Sequence, residues 1–221
     1  MNDSAGPTRG TVPATSCSTS CSSSSTPPSA TVDDGERGAI LVEFALVALF
    51  LVTLALGVFE IGMIWSDHQV LTQASRSGAR VASQLGTAPE ADRETLRAIE
   101  AGFGGVTATI DRIVVFEADA NGAMPAACET ASAGYSGPAN CNVYDATDIA
   151  ALGTDSAWGA GTSCGTADDN WCPVTDRDDA QATASYVGVR IEIDRSYLTQ
   201  LFGGGTHAMT ETTVMRIEPN V

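Results

Sequence analysis

Glu43 is the residue with the clearest chemical claim on this sequence. It lies five residues after Gly38, at the start of an apolar run that continues to Ile64. An ionised carboxylate in hydrocarbon costs roughly 2.5–3.5 kcal/mol even on the mildest insertion scale. A plain membrane anchor has no use for such a group, so Glu43 reads as a residue with an ion-pairing task. Glu60, near the other end of the run, reads instead as the boundary of the apolar segment, with its carboxylate snorkelling to the interface.

Six cysteines fall in two groups. Cys17 and Cys21 precede the apolar run; Cys128, Cys141, Cys164 and Cys172 follow it. The second group sits in a stretch rich in Gly, Ala, Ser, Asp and Asn, and so long a loop needs a staple. The spacings suit two local disulfides, Cys128 with Cys141 and Cys164 with Cys172, although four cysteines permit three pairings. Zinc is the rival for these thiols, and neither a Cys-x-x-Cys pair nor a nearby His supports it.

No catalytic constellation assembles. His68 and His207 are far apart in sequence, and no nucleophile elbow, phosphate-cradling glycine loop or paired metal-ligand histidine is present. Asp145, Asp148, Asp155, Asp168, Asp169, Asp176, Asp178 and Asp179 do not meet a calcium-loop pattern and read as solubilising carboxylates. The chain therefore reads as non-enzymatic, with no cofactor and no metal. All eleven basic residues are arginines, set against 27 acidic ones, for a net charge of -16. That balance excludes nucleic acid as a partner and electrostatic adhesion to anionic lipid.

The elements that would position these residues follow from pattern. Residues 1–38 are polar, low in complexity and unable to bury enough surface to offset their ordering entropy, so they read as a disordered leader. Residues 39–64 form a membrane helix; as helix they rise roughly 39 Å, more than the hydrocarbon thickness of about 30 Å. Trp65 follows as an interfacial anchor. Leu71, Ala74, Gly78, Val81 and Leu85 recur at helical spacing, so residues 65–86 continue the helix with an amphipathic seam that stops at Gly86. Residues 87–221 form a head. A second helix is predicted from Pro89 to Phe103, opened by a capping box at Thr87–Glu90. Strands are predicted at Arg112–Glu117, Tyr186–Asp194 and Glu211–Glu218, with a short helix at Ser196–Phe202. Residues 119–183 read as a Cys-, Asp- and Gly-rich loop insertion. The fold class is α+β: a long N-terminal helix followed by a small antiparallel-sheet head with a disulfide-stapled loop.

Gly38 before Ala39, Glu43 at the fifth position beyond the glycine and the apolar helix together resemble a type IV prepilin. The segment Gln73-Ala74-Ser75-Arg76-Ser77-Gly78-Ala79-Arg80-Val81-Ala82 and the terminal Met215-Arg216-Ile217-Glu218-Pro219 resemble the TadE-like family more specifically, the minor pilins or pseudopilins of tight-adherence (Flp) pili. The resemblance implies cleavage after Gly38 by a prepilin peptidase, a pilin-like head outside the membrane, and a role in pilus assembly and surface attachment. It implies other pilin or pseudopilin subunits and the inner-membrane assembly platform as partners, besides membrane lipid. After such a cut Ala39 and Glu43 are i and i+4 on one helix face, so the new α-ammonium and the carboxylate can neutralise each other or those of a neighbouring subunit.

The implied topology is a single pass with the leader cytoplasmic and the head extracytoplasmic. The cysteine distribution agrees, because the last four then meet an oxidising compartment. Arginine counting points the other way, with Arg9 and Arg37 before the span and Arg76, Arg80 and Arg93 after it. Two other readings remain open at the level of sequence: an unprocessed membrane-anchored adhesin or cell-envelope binding protein, and a membrane-tethered exported hydrolase.

Overall fold

The structure is a computed structural model that describes residues 34–104, 108–153, 157–199 and 204–219. The predicted leader up to residue 33, with Cys17 and Cys21, lies outside the described residues, as does Asp155. The chain divides into two compact units, Met1–Val47 and Ala48–Val221.

Helix α1 is Asp34–Leu85. It begins before the predicted membrane segment, so residues 34–38, read as disordered leader, are helical. In the first unit the large side chains Ile40, Leu41, Val42, Phe44, Leu46 and Val47 are all exposed. In the second unit the helix changes character. Its buried positions are Gly57, Glu60, Asp67, Leu71, Ala74, Ser75, Gly78, Ala79, Ala82 and Ser83. Val81 and Leu85, placed in the predicted seam, are only half-buried. A strict alternation of 3 and 4 drifts off the 3.6-residue turn, and the small residues Ala82 and Ser83 take the sheet-facing positions. Gly86 ends the helix with φ +45°, a conformation that favours glycine.

Helix α2 is Ala91–Gly102. It starts two residues later than predicted, and no side-chain cap forms at its N-terminus. Thr87 is drawn elsewhere: its hydroxyl donates to Asp179 Oδ2 at 3.1 Å. The two helices pack closely where side chains are small. A methyl built on Gly78 would meet Ile99 Cγ1 at 2.6 Å.

The sheet has four antiparallel strands in the order β2-β1-β3-β4: β1 Thr109–Ala118, β2 Cys141–Tyr144, β3 Tyr186–Ser196 and β4 Thr206–Arg216. Three of them were legible in the sequence; β1 and β3 run longer than predicted, and β4 starts five residues before the predicted Glu211 and ends two before the predicted Glu218. β2 was not predicted; it lies inside the stretch read as loop insertion. Among its described residues the insertion also forms the short α-helices α3 Ala126–Glu129, α4 Ala146–Ala150 and α5 Pro173–Asp176. The predicted helix at Ser196–Phe202 is not found in its described part: Ser196 ends β3 and Tyr197–Thr199 are non-helical.

β1 and β3 pair in register, with Ile113 opposite Ile191 and Val115 opposite Val189. These residues, with Val187 and Ile193, bury one sheet face against Leu71, Ala74, Ala79 and Ala82 of α1 and Leu96 and Ile99 of α2. The Ser75 hydroxyl adds a bond to Thr213 Oγ1 at 2.8 Å. The other face, carrying Val114, Phe116 and Ala118 of β1 beside Cys141 and Val143 of β2, is covered by Cys128 and Ala131. Arg112 ties that cover down: it donates to the carbonyls of Ala131 and Glu129 and pairs with Glu192 at 2.7 Å. The head is thus a sheet filled from both sides, by the two long helices with Leu152, Trp158 and Trp171 on one and by the segment around the Cys128–Cys141 disulfide on the other.

Candidate functional site

Gly38, Ala39 and Glu43 all lie on α1 and are exposed. A methyl built on Gly38 meets nothing within 4 Å. The stretch is helical because Ala, Leu and Glu are strong helix formers and the β-branched Ile40 and Val42 are isolated from one another. Ala39 and Glu43 are one turn apart and share a face. Among the described residues α1 is long and apolar enough to cross a membrane. Between Phe44 and Phe59 the sole polar side chain is Thr53. Its hydroxyl donates to Leu49 O at 3.0 Å and Phe50 O at 2.8 Å, so the helix itself satisfies it, as a lipid environment requires.

Glu60 departs from its sequence reading. It is 1% exposed and does not snorkel. The backbone N–H of Leu198 donates to its Oε1 at 2.8 Å, and the Thr199 hydroxyl donates to its Oε2. The chain leaving β3 has backbone donors that no strand partner takes up, and Glu60 supplies the acceptor. Two turns further along α1, Asp67 pairs with Arg195, which also donates to the Met63 carbonyl at 3.4 Å. Strand alternation explains Arg195. It follows Val187, Val189, Ile191 and Ile193 on the helix-facing side of β3, so the residue is 3% exposed and its guanidinium must be paired. Glu60 and Asp67 thus clasp the end of β3 to α1 at two points.

A second buried polar cluster holds the stapled segment. Asp92, in the first turn of α2, accepts from Arg177 Nη2 at 2.5 Å, Tyr144 OH at 2.7 Å and Asn142 Nδ2 at 2.7 Å. Both members of the Asp92–Arg177 pair are fully buried. Arg177 stacks on Trp171, 4.1 Å from its ring centroid. Asn142 also exchanges bonds with the Trp171 backbone, at 3.0 Å from its amide and 2.9 Å to its carbonyl oxygen. Burial, and then the Asp92 charge, push the Asp168 carboxyl up to about 6. The same two causes push the Tyr144 phenol well above its ordinary value. Each residue is joined to partners from other segments, so the cluster positions β2, α2 and the chain around α5 rather than presenting a reactive group.

The cysteines pair as Cys128–Cys141 and Cys164–Cys172. The first joins α3 to the start of β2. The second closes the turn that carries Asp168 and Trp171. Several of the acidic residues read as solubilising are used locally. Asp145 caps α4 in a capping box with Asp148, Asp176 accepts from Cys172 N at 2.9 Å, and Asp178 accepts from Ala180 N at 2.8 Å. The two histidines are brought together: His68 and His207 line one apolar groove beside the Glu60 clasp. Of the residues that matter here, sequence missed Glu60 as a clasp, Arg195 and Asp92. Arg195 alone left a signal, as a charge on the apolar side of an otherwise regular alternation.

No curated protein and no solved structure matches the chain. The model of the TadE-like protein family matches residues 38–80, which open on the glycine before Ala39 and close on Arg80. Over those residues the chain is similar to the TadE-like family.

Proposed function

We propose that the chain is a non-enzymatic minor pilin or pseudopilin, cut after Gly38 by a prepilin peptidase, that acts in tight-adherence pilus assembly and surface attachment. The observation that carries the reading is the family match, which begins at Gly38 and includes Ala39 and Glu43. The cut would place an α-ammonium at the N-terminal, positive end of the helix dipole. Glu43, one turn along the same face, offsets that charge within the subunit or in a neighbour. The partners are then the peptidase, other pilin or pseudopilin subunits and the inner-membrane assembly platform, with the helix in the cytoplasmic membrane and the head outside it.

Helix length supports the position of the cut. Loop backbone bonded to Glu60 cannot sit in hydrocarbon, so the span ends near Phe59. Residues 39–59 rise about 31 Å at ~1.5 Å each, which matches a hydrocarbon core of about 30 Å. The Gly38–Ala39 bond then falls at the opposite membrane surface, where a peptidase can reach it. The two disulfides support an oxidising location for the head. The deciding experiment is N-terminal mass mapping of membrane-extracted protein from cells with an active prepilin peptidase. A mature terminus at Ala39 is expected; intact residues 1–38 would overturn the reading.

A further inference from the structure

Beside the Glu60 clasp, α1 and β4 leave a groove of about 190 Å³ lined by Ile61, Ile64, Trp65, His68, His207 and Met209. Its walls are apolar apart from the two imidazoles. On α1 the head covers the stripe Glu60, Asp67 and Leu71. A different stripe, Leu51, Leu54, Val58, Ile61, Trp65 and His68, recurs at spacings of 3 and 4 and stays open. Its large apolar members are exposed both before the clasp (Val58, 63%) and after it (Ile61, 62%; Trp65, 68%). The apolar surface of the membrane-crossing segment therefore does not stop where the head begins. It runs past Glu60 on one side of the helix and ends in the groove.

We propose that this groove seats a zwitterionic bilayer phospholipid at the head-side membrane surface. The inference rests on the reading of α1 as a membrane helix. Acyl and glycerol carbons would lie against Ile61, Ile64 and Met209. The Trp65 ring sits at the headgroup level that tryptophan prefers, and imidazole N–H groups of His68 and His207 face the lipid phosphate as donors. Size and charge select this occupant. The groove holds about 190 Å³, enough for a stretch of one lipid chain and less than one turn of a helix about 10–12 Å across and 5.4 Å in pitch. A second copy of the chain would bring another net charge of -16 against the first. The described lining of the groove holds no arginine, and Arg195, on β3 opposite His207, is committed to Asp67, which disfavours an anionic headgroup.

The test is photolabelling of the full chain in phosphatidylcholine nanodiscs doped with phosphatidylcholine that carries a diazirine near the glycerol end of one acyl chain. Mass mapping should find adducts in residues 61–68 and 207–209 as well as in residues 48–59. Adducts confined to residues 59 and below, or cross-links in the groove to a second copy of the chain, would overturn the lipid seat while leaving the membrane helix intact. Absence of label from all of α1 would instead remove the membrane reading. Trp65→Ser changes an exposed side chain and leaves the core untouched; it should lower the yield at residues 207–209 about threefold relative to residues 48–59. An unchanged ratio would also overturn the proposal.

Discussion

Leu198 donates its backbone N–H to the Glu60 carboxylate at 2.8 Å, across 138 residues of sequence. The bond makes a residue of the apolar helix part of the head's own fold. The same carboxylate is the first acidic group after the apolar stretch Phe44–Phe59.

The first prediction concerns that carboxylate. Glu60→Gln keeps an oxygen for the Leu198 N–H but loses the second acceptor for Thr199; Glu60→Leu loses both. Amide exchange at Leu198, followed by mass spectrometry of the detergent-solubilised chain, should quicken roughly tenfold for Gln and further for Leu, since one net hydrogen bond is worth about an order of magnitude in a local opening equilibrium. Exchange in the β1–β3 ladder should not change. Equal exchange at Leu198 in all three proteins would show that the loop is held by other contacts.

The second prediction concerns Asp92. Removing one member of a fully buried ion pair leaves the other uncompensated, at a cost of about 3–5 kcal/mol. Asp92→Ala should therefore lower unfolding stability by that order and loosen the Trp171 segment, because Arg177 and Tyr144 lose their acceptor and Asn142 loses one of its acceptors. Urea unfolding followed by tryptophan fluorescence reports both. A loss below about 1 kcal/mol would place the stability of the stapled segment in its disulfides and apolar contacts instead.

Asp168 gives a pH dependence with a definite sign. Its carboxyl titrates near 6 in the folded chain against an ordinary value of 3.8. The folded state therefore holds the proton where the unfolded chain has released it. The stabilisation is complete below the ordinary value and is lost as pH rises through about 6. Asp168→Asn retains an oxygen for the Gly165 N–H, which now bonds Asp168 Oδ1 at 2.7 Å, and removes the titration. The variant should be the more stable protein above pH 6, and the difference should shrink as pH falls toward 4. Thermal unfolding of both proteins across that range checks it; a constant offset would mean that Asp168 does not titrate there.

The legible parts of the fold were those written in local period. β3 announces itself because Val187, Val189, Ile191 and Ile193 alternate over one buried face, and α1 because its run and seam are long. β2 has four residues, Cys141 to Tyr144, buried on both faces, and its sequence carries neither alternation nor a β-rich run. Tertiary pairing with β1 makes it a strand. Glu60 and Asp92 were misjudged or missed for one reason. A carboxylate at the end of an apolar run or in the first turn of a helix satisfies a local rule, and the partners that give it another role lie 138, 52 and 85 residues away. Gly38, Ala39 and Glu43 stood out because their departure from pattern is local: a charge inside an apolar helix.

The last prediction separates recognition of the cut from assembly. Gly38 is sterically open, with nothing within 4 Å of a built methyl, so Gly38→Ser does not disturb the packing of the helix. Loss of processing in that variant would report recognition by the peptidase. Glu43→Ala leaves the glycine and the bond after it unchanged, so most of the protein should still be cut to Ala39. The mature helix would then carry an α-ammonium without its carboxylate. An unpaired charge carried into a bundle of apolar helices costs roughly 2.5–3.5 kcal/mol on the scale for apolar surroundings, enough to lower incorporation into pili by more than about tenfold. Anti-head immunoblots of membrane and sheared-pilus fractions, with N-terminal mapping of each, resolve the two steps. Normal incorporation of Glu43→Ala would remove the ion-pair argument while leaving the cleavage site standing.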